Sequence, residues 1–529
     1  MTRSTFADIE IPNQNVYDYL FGSLSKEDLA APALVDGTNG ATTSFGEMVG
    51  QINAVAGALA ARGVNTETTV GLLCPNAPAF AIMFHALLRL GAIVTTINSL
   101  YTPDEIAGQL KDAGATWLVT VSPLLAGAEI AAKEVGLDAD HVIVMDGVDG
   151  HPSLKELIME QKSAPAVSFD PATHLAVLPY SSGTTGRPKG VMLTHRNLVA
   201  NVAQSMATIG IEGGEVVLAV LPFYHIYGLT VLLNFALKTK SALVTMPRFD
   251  LPEFLRIIQD QKCTWVFIAP PIAVALAKHP LVDSYDLSSV KSIFSGAAPL
   301  DANLAGSVAK RLNTMVRQGY GMTELSPVSH VIPMSRNDIS LNSIGLVLPN
   351  MESKLVNPET GEEIPQPKSG TSEPGELMCK GPNVMMGYLG NDEATKATLT
   401  KDGWLHTGDI ATVDSNGIYT IVDRLKELIK YKGYQVAPAV LEAVLLTHPK
   451  IADAAVIGVL DGDGQEIPKA FVVVQADNEL TEVEVMDFVA GKVAPHEKVR
   501  RVEFIELIPK STAGKILRKD LRAREGAAK

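Results

Sequence analysis

A run of glycine and hydroxyl side chains ended by a lysine has the composition of a phosphate-binding loop. It follows an apolar strand predicted over 175–178 and reads Tyr-Ser-Ser-Gly-Thr-Thr-Gly-Arg-Pro-Lys-Gly over 180–190. Glycines let backbone N–H groups approach an anion, hydroxyls add donors, and the lysine supplies positive charge. The residues predicted to bind a polyphosphate are Ser181, Ser182, Gly183, Thr184, Thr185, Gly186 and Lys189.

The spacing inside this loop excludes the kinase and GTPase class of phosphate site. That class needs Gly-x4-Gly-Lys followed by Ser or Thr. Here the four residues after Gly183 are followed by Pro188, Lys189 and Gly190. The loop therefore predicts nucleotide chemistry of another kind.

Further motifs follow the loop in order along the chain. They are Pro-Phe-Tyr-His-Ile-Tyr at 222–227, Ser-Gly-Ala-Ala-Pro at 295–299, Gln-Gly-Tyr-Gly-Met-Thr-Glu at 318–324, Gly-Glu-Leu-Met-Cys-Lys-Gly around Glu376, Trp-Leu-His-Thr-Gly-Asp at 404–409, Arg-Leu-Lys-Glu-Leu-Ile-Lys-Tyr-Lys-Gly at 424–433 and Pro-Lys-Ser-Thr-Ala-Gly-Lys at 509–515. With the loop, this series resembles the AMP-forming adenylating enzymes, which include acyl- and aryl-CoA synthetases, peptide-synthetase adenylation domains and beetle luciferases. The resemblance covers most of the chain, and the stretch 428–442 is especially similar to 4-coumarate–CoA ligases.

The resemblance implies a ligase that uses ATP, Mg²⁺ and coenzyme A. A carboxylate would attack the α-phosphorus of ATP, pyrophosphate would leave, and a thiol would then displace AMP. The loop would hold the β- and γ-phosphates, Thr323 would bond the α-phosphate and Glu324 would bind Mg²⁺. Without the family context, a Thr-Glu pair is normally a helix cap or a solvated pair.

The resemblance also assigns the rest of the nucleotide site. Tyr320 would stack on adenine, Asp409 would accept the two ribose hydroxyls, and Arg424 would reach the ribose or a phosphate. An aspartate after Thr-Gly is more often a turn residue when no family is known. The same motif adds Gln318, Gly319, Gly321 and Met322 to the nucleotide-binding set.

An acyl pocket is implied around His225 and Tyr227. From composition alone these two residues fit core positions with satisfied polar ends equally well. The resemblance places His225 near the reacting carboxylate, where small residues leave volume for an acyl chain or ring. The remaining pocket residues are Gly296, Ala297, Ala298, Gly319, Pro327 and Val328.

The C-terminal motifs imply two alternating catalytic faces on one small domain. By resemblance, Lys515 enters the site for adenylation and then leaves as the domain rotates at a hinge, Lys426. Lys430 and Gln435 lie where related ligases have catalytic or AMP-contacting residues, while Lys432 and Gly433 would border the pantetheine tunnel. On the residues alone, the lysines at 426, 430 and 432 fit a solvated basic face.

The elements that must position these residues alternate between strands and helices. Strands are predicted over 69–73, 92–97, 116–121, 216–221, 242–246, 264–268 and 290–294, with helices over 77–90 and 103–113. Such alternation favours parallel sheets covered by helices. Thr194 is predicted to N-cap a helix through Met206, and an Asn-Gly pair at 416–417 predicts a hairpin over 409–422.

We predict an α/β fold in two domains. The first, residues 1–423, comprises helix-covered sheets and a β-rich subdomain, with turns between short strands over 352–376. The second, residues 424–529, is a small mobile α+β lid. Its predicted elements are helices over 438–446 and 482–489 and strands over 454–459, 470–475 and 502–507.

The composition limits the kinds of partner and the cellular compartment that we expect for this protein. The formal net charge of −14 argues against general attraction to nucleic acid or to an anionic membrane. Three cysteines in 529 residues form neither a disulfide framework nor a zinc module. The apolar stretch 79–97 contains His85, Arg89 and Gly91, which favours a buried helix and strand over a membrane span. With no targeting signal, a cytoplasmic ligase acting on small molecules is the simplest interpretation.

Three other functions compete with an acid–CoA ligase. An adenylating enzyme that loads an acyl carrier protein would carry an insertion before the hinge, and none is obvious. A luciferase-type oxygenase fits the fold, but nothing in the sequence marks a luciferin site. An inert nucleotide sensor conflicts with the intact set Lys189, Glu324, Asp409 and Lys515. Both aryl-propenoic and medium-to-long fatty acids fit the sequence.

Overall fold

Two sheets with buried parallel strands form the body of the N-terminal part. The computed structural model describes residues 2–181, 188–431, 434–461, 465–476, 478–511 and 515–527. The nine-stranded sheet has the spatial order Leu346–Val347, Val328–Val331, Met315–Gly321, Ser292–Ser295, Trp265–Ile268, Val216–Ala219, Ala242–Thr245, Pro32–Asp36 and Thr42–Ser44. The eight-stranded sheet has the order Gly387–Tyr388, Lys189–Thr194, Leu175–Val177, Ile93–Thr96, Thr69–Leu72, Trp117–Thr120 and Val142–Val144, with Tyr180–Ser181 paired to Lys189–Thr194.

Helices cover these sheets, as the alternating pattern predicts. They are Val16–Phe21, Lys26–Ala30, Phe45–Ala61, Pro78–Arg89, Pro103–Asp112, Leu125–Glu134, Leu154–Met159, His195–Ile209, Phe235–Lys238, Leu251–Gln261, Pro270–Lys278, Ala302–Leu312 and Asp392–Thr398. The apolar stretch at 79–97 forms a buried helix followed by a strand, and His85 is fully buried there. No helix in the described ranges is both long enough and apolar enough to cross a bilayer.

An antiparallel sheet forms the β-rich subdomain. It contains Thr2–Arg3, Glu352–Val356, Glu363–Ile364, Gly375–Lys380, Leu405–Val413 and Tyr419–Arg424. The hairpin predicted around 416–417 is confirmed, because Val413 pairs with Tyr419 and Gly417 takes a positive φ of 78° in the turn. Asp409 and Arg424 are paired in the same ladder, so the hairpin brings two predicted ribose contacts together.

The small C-terminal domain has its own hydrophobic core. Its elements are strands Ile429–Tyr431, Tyr434–Val436, Ile451–Leu460, Glu466–Val474 and Arg501–Phe504, and helices Pro438–Leu446, Glu482–Ala490 and Arg518–Ala527. The buried residues at the centre of this core include Leu441, Val456 and Val472. The large and small domains match the predicted fold class, and the helix at 438–446 has the predicted bounds.

Two local elements differ from the sequence prediction. A strand, Lys189–Thr194, stands between the phosphate loop and the following helix, because Val191 and Leu193 are buried and bond to neighbouring strands. The helix itself begins after Thr194, whose side chain accepts a hydrogen bond from the backbone of Asn197 as predicted, but it continues to Ile209.

The second difference is a π-helix. The segment Tyr227–Asn234 follows the predicted acyl-site motif and has π-helical hydrogen bonding over eight residues. Such wide turns are rare and occur frequently at functional sites. All eight residues are buried, so the segment forms an inner wall of the domain.

Candidate active site

A buried carboxylate, Asp409, lies at the centre of the predicted ribose site. It is 6 % exposed and accepts a hydrogen bond of 2.6 Å at Oδ2 from the hydroxyl of Tyr320. The Nε atom of Arg424 lies 3.4 Å from its other oxygen. Burial, followed by the negative charge of Asp409, raises the pKa of Tyr320, so the phenol stays protonated and donates. The structure thus joins three predicted nucleotide residues in one group.

The turn that carries Asp409 is held by Glu376. This buried carboxylate accepts from the backbone N–H of Gly408 at 3.2 Å and contacts Nδ1 of His406 at 3.0 Å. Gly408 has a φ of +70°, and Thr407 accepts from the backbone N–H of Asp409 at 3.1 Å. Hydrogen bonding to Glu376 raises the pKa of His406. In the sequence Glu376 only marks a motif, and its contacts with Gly408 and His406 form in the folded chain.

Glu324, the predicted metal ligand, sits on a short 3₁₀ turn with Thr323. It is 5 % exposed, and two hydroxyl groups donate to its Oε1: Ser181 at 3.1 Å and Tyr388 at 2.8 Å. Mg²⁺ in nucleotide sites commonly binds one or two carboxylates together with substrate phosphates. A single carboxylate oriented by two hydroxyl groups beside the phosphate loop matches that mode.

Lys189 lies over the ring of Tyr388. Its Nζ is 4.9 Å from the centroid of Tyr388, which is the residue whose hydroxyl contacts Glu324. The loop residues Ser182, Gly183, Thr184, Thr185 and Gly186 lie outside the described residues. The structure therefore brings together the two ends of the phosphate loop, Ser181 and Lys189, with the predicted metal ligand.

Lys515 from the C-terminal domain enters this cluster. A backbone bridge joins Lys510 to Ile516, and the backbone N–H of Lys515 donates to Oγ of Ser511 at 3.2 Å. Burial, and then the charge of Arg424, lowers the pKa of Lys515 to about 8, while the charges of Asp409 and Glu324 act in the opposite direction. The charge of Lys515 therefore interacts with the charges of the predicted nucleotide groups.

His225 faces Lys515 from the large domain. Its Nδ1 accepts from the backbone N–H of Tyr227 at 3.3 Å, which leaves the proton of the neutral ring on Nε2. Burial, followed by the charge of Lys515, lowers the pKa of His225 to about 4. The imidazole is therefore neutral at physiological pH and can donate a hydrogen bond to a carboxylate oxygen.

Tyr227 and Gly296 form one wall of the predicted acyl pocket. A Cβ atom added to Gly296 would lie 2.8 Å from the ring of Tyr227, so only glycine allows this contact. The Tyr227 hydroxyl donates to the backbone oxygen of Phe294 at 3.4 Å. Gly319 packs against the Phe294 ring, where an added Cβ would be 3.1 Å away.

The other predicted pocket residues occupy the neighbouring turns. An added Cβ at Gly321 would lie 2.2 Å from the backbone oxygen of Pro327, which accepts a hydrogen bond from Met322. Val328 is buried next in the chain. Ala297 is exposed and Ala298 half-buried, and Ala297 has a φ of +71°. The side chains of Ala297 and Ala298 are therefore more exposed than that of Tyr227, which is buried.

Gln318 differs from its neighbours in the motif. Its buried side-chain amide donates to the backbone oxygens of Ser343, at 2.9 Å, and Leu341, and its Oε1 accepts from Leu300. All of these contacts are to backbone atoms. Gln318 therefore anchors two loops next to the nucleotide motif, one at Leu300 and one at 341–343.

The second catalytic face predicted for the C-terminal domain lies apart from this cluster. Lys430 is exposed on the strand Ile429–Tyr431, where it pairs with Gln435, and its backbone N–H donates to Glu466 at 2.7 Å. Lys426 is also exposed. Lys432, Gly433 and the side chain of Gln435 lie outside the described residues.

Tyr388 is a site residue that sequence analysis missed altogether. Its strand, Gly387–Tyr388, is only two residues long, and its place beside Lys189 and Glu324 depends on pairing with a distant strand. No spacing rule connects it to either partner. Only the Gly-Tyr pair before the Asn391-capped helix marks a turn at this point.

Family models match both parts of the chain. The model described as AMP-binding enzyme matches residues 25–389, and the model described as AMP-binding enzyme C-terminal domain matches residues 440–515. The chain is 43 % identical to 4-coumarate--CoA ligase 1 of Solanum tuberosum, over 99 % of this chain and 96 % of that protein. It is equally identical to 4-coumarate--CoA ligase 5 of Oryza sativa subsp. japonica, over 99 % and 97 %.

Solved structures share the fold over nearly the whole chain. The anthranilate CoA ligase AuaEII in complex with anthranoyl-AMP aligns with a TM-score of 0.90 at 26 % identity, covering 98 % of this chain and 99 % of that one. ATP-bound MatB from Rhodopseudomonas palustris aligns with a TM-score of 0.87 at 28 % identity, covering 97 % and 99 %.

Proposed function

The chain belongs to the AMP-binding enzyme family, and we propose that its acid is an aryl-propenoic acid of the 4-coumarate type. It is an ATP-dependent acid–CoA ligase that uses Mg²⁺. In the first step a carboxylate oxygen bonds to the α-phosphorus of ATP and the bond to pyrophosphate breaks. In the second step the CoA sulfur, which loses its proton, bonds to the acyl carbon and AMP leaves.

The position of Lys515 carries the assignment of residues to the first step. As the carboxylate attacks, negative charge builds on the α-phosphate and on the departing pyrophosphate, and a preorganised cation lowers the energy of that transition state. The charge of Lys515, near the end of the chain, interacts with those of Arg424, Asp409 and Glu324. His225, whose pKa is lowered by burial and then by this charge, would hold the carboxylate oxygen.

The nucleotide would be held between the two domains. Lys189 and the phosphate loop would bind the β- and γ-phosphates, Asp409 the ribose hydroxyls and Thr323 the α-phosphate. Glu324 would hold Mg²⁺, which when bound neutralises phosphate charge. Buried charges and fixed dipoles act strongly here because they need little reorganisation during the reaction.

The second step requires a rearrangement, which we place at Lys426. In the observed arrangement the charge of Lys515 interacts with those of Asp409 and Glu324, and Lys430 is exposed. Rotation of the lid at residues 424–529 against residues 1–423 would withdraw Lys515 and present Lys430, Gln435, Lys432 and Gly433 to the acyl-adenylate and CoA. One face would then serve each half-reaction.

The choice of acid is supported by the relatives and by the wall of the pocket. Proteins named as 4-coumarate–CoA ligases share 43 % of their residues with this chain over nearly its full length. An aromatic wall of Tyr227 against Gly296 suits a flat ring, which packs by offset or edge contacts. A long flexible acyl chain gains less from such a flat surface.

A panel of free acids tests this proposal. Purified enzyme with ATP, Mg²⁺ and CoA would be given 4-coumarate, cinnamate, hexanoate, decanoate or palmitate, and AMP and thioester would be measured together. We expect the highest kcat/KM for the aryl-propenoic acids. A clear preference for any fatty acid contradicts the proposal. AMP-ester formation without a CoA thioester would instead favour an acyl carrier protein as acceptor.

We also propose a cytoplasmic location. The reaction consumes ATP and CoA, and Cys74, Cys263 and Cys379 are free, buried thiols. Reduced cysteines are typical of the cytosol. Subcellular fractionation with an activity assay tests this placement.

A further inference from the structure

Tyr388 joins two groups that the proposed reaction needs at the same phosphate chain. Its ring is 6 % exposed, its hydroxyl donates to Oε1 of Glu324 at 2.8 Å, and the ammonium of Lys189 lies 4.9 Å from its ring centroid. One side chain thus contacts the predicted metal ligand through its polar end and the predicted phosphate cation through its face.

Backbone hydrogen bonds fix this placement from both sides. The strand carrying Tyr388 pairs with Lys189–Thr194, with Val191 opposite Tyr388, and Leu389 donates to the backbone oxygen of Gly190 at 2.9 Å. Met385, three residues earlier, donates to the backbone oxygen of Glu324, also at 2.9 Å. The segment is therefore attached to the strand of the cation and to the turn of the carboxylate.

The hydroxyl has a specific effect on the carboxylate. Both Tyr388 and Ser181 donate to Oε1 of Glu324, so this oxygen is turned toward the protein. Oε2 then becomes the oxygen best placed for coordination of a metal ion.

The ring has a separate effect on the lysine. A cation over an aromatic face is attracted by the ring quadrupole, and the attraction restricts a long, flexible side chain. Restriction in the free enzyme reduces the entropy lost when phosphate binds. The hydroxyl and the ring of Tyr388 thus act on different partners.

We propose that Tyr388 is the positioning residue of the nucleotide site, orienting Glu324 for Mg²⁺ through its hydroxyl and Lys189 for phosphate through its ring. The inference rests on the proposed roles of Glu324 and Lys189, and it adds a residue that couples them. It predicts that the two effects separate when the hydroxyl and the ring are removed one at a time.

The test compares Tyr388→Phe, Tyr388→Leu and a control, Tyr19→Phe. Tyr19 is also buried beneath a lysine, with Nζ of Lys238 4.0 Å from its ring centroid, and its hydroxyl contacts Met206. ATP binding would be measured by calorimetry without acid or CoA, once with excess Mg²⁺ and once with EDTA. Thermal unfolding would confirm that each variant is folded.

We expect Tyr388→Phe to weaken MgATP binding about tenfold and ATP binding in EDTA less than twofold, as for one lost hydrogen bond to a charged group. Tyr388→Leu should weaken both, because Lys189 also loses its contact. Tyr19→Phe should match the wild type. Unchanged MgATP affinity in Tyr388→Phe, or an equal loss in EDTA, would overturn the inference.

A further variant, Glu324→Gln, separates this inference from the function on which it rests. This substitution should abolish the difference in ATP affinity between excess Mg²⁺ and EDTA, both in the wild-type background and in combination with Tyr388→Phe. If Mg²⁺ still strengthens ATP binding in Glu324→Gln, the metal role of Glu324 is wrong and the inference fails with it. If binding behaves as expected but no aryl acid is activated, only the choice of acid is wrong.

Discussion

At the scale of single residues, the site depends on buried charges whose protonation states are set by their surroundings. Lys515 and His225 illustrate this, because burial lowers the pKa of both side chains. The charge of Arg424 lowers the pKa of Lys515 further, and the charge of Lys515 does the same for His225. A lysine with a pKa of about 8 is mostly charged at neutral pH and loses that charge in mild alkali. The rate of adenylation should therefore fall as Lys515 loses its charge.

The pH dependence of adenylation is therefore a prediction about Lys515. Only the protonated amine stabilises the transition state, so kcat/KM for ATP should fall about tenfold per pH unit above pH 8. Pyrophosphate exchange measured from pH 6 to 10 would show this decrease as the alkaline limb of the pH–rate profile. In Lys515→Arg the limb should disappear from this range, because guanidinium stays charged. A limb unchanged in that variant would assign the titration to another group.

Replacement of Asp409 by asparagine should weaken ATP binding. An ionised acceptor of ribose hydroxyls contributes about 1.5–3 kcal/mol, so KM for ATP should rise roughly 10- to 100-fold. The exposed Asp402, seven residues earlier, provides the control variant Asp402→Asn. If both variants have the same KM for ATP, Asp409 does not bind the nucleotide.

At the scale of elements, short turns fix the functional groups more than helices do. Glu376 bonds the backbone of Gly408 and the ring of His406, and so sets the turn that presents Asp409. Glu376→Ala should raise KM for ATP about three- to tenfold with little change in kcat, since the turn loosens without losing a substrate contact. Glu376→Gln, which keeps the acceptor for Gly408, should be milder.

The control for this turn is Glu373→Ala, an exposed carboxylate in the preceding loop. It should leave KM for ATP unchanged. A fall in kcat without a change in KM for Glu376→Ala would show that the carboxylate acts on the chemistry and not on the turn. Steady-state kinetics with saturating acid and CoA distinguish these outcomes.

The helices and strands also show how much of the fold and of the site can be predicted from the sequence. Periodicity identified helices such as Pro438–Leu446 and the strand that follows it, because local patterns determine them. The motifs also identified Asp409 and Glu324. Tyr388 and the role of Glu376 could not be predicted, because each depends on the pairing register of strands far apart in the chain.

At the scale of the whole molecule, the two half-reactions should be separable. Lys515→Ala should slow adenylation by roughly 10²- to 10³-fold, as for one preorganised charge contact, and leave thioester formation from preformed acyl-AMP nearly unchanged. Lys426→Pro should do the opposite, because a fixed φ prevents rotation of the lid. Each half-reaction would be assayed separately with rapid quenching.

The matched control for the hinge is Lys426→Ala. It removes the side chain but keeps backbone freedom, so both half-reactions should proceed at close to wild-type rates. Equal slowing of both steps in Lys515→Ala and Lys426→Pro would contradict domain alternation. Loss of thioester formation in Lys426→Ala would show that the lysine charge, and not the backbone, is needed.

One contact across the proposed hinge bears on the order in which substrates bind. Asp423, buried in the last strand before Lys426, accepts from the backbone N–H of Ala439 at 2.8 Å, in the first turn of the helix Pro438–Leu446. Rotation at Lys426 would separate these groups, so the contact favours the arrangement with Lys515 in the site. The resting enzyme would then bind ATP and the acid first, and CoA would enter only after pyrophosphate has left. Excess CoA would then have no alternative resting form of the enzyme to bind. We therefore expect that initial rates measured at low ATP do not fall as the CoA concentration rises.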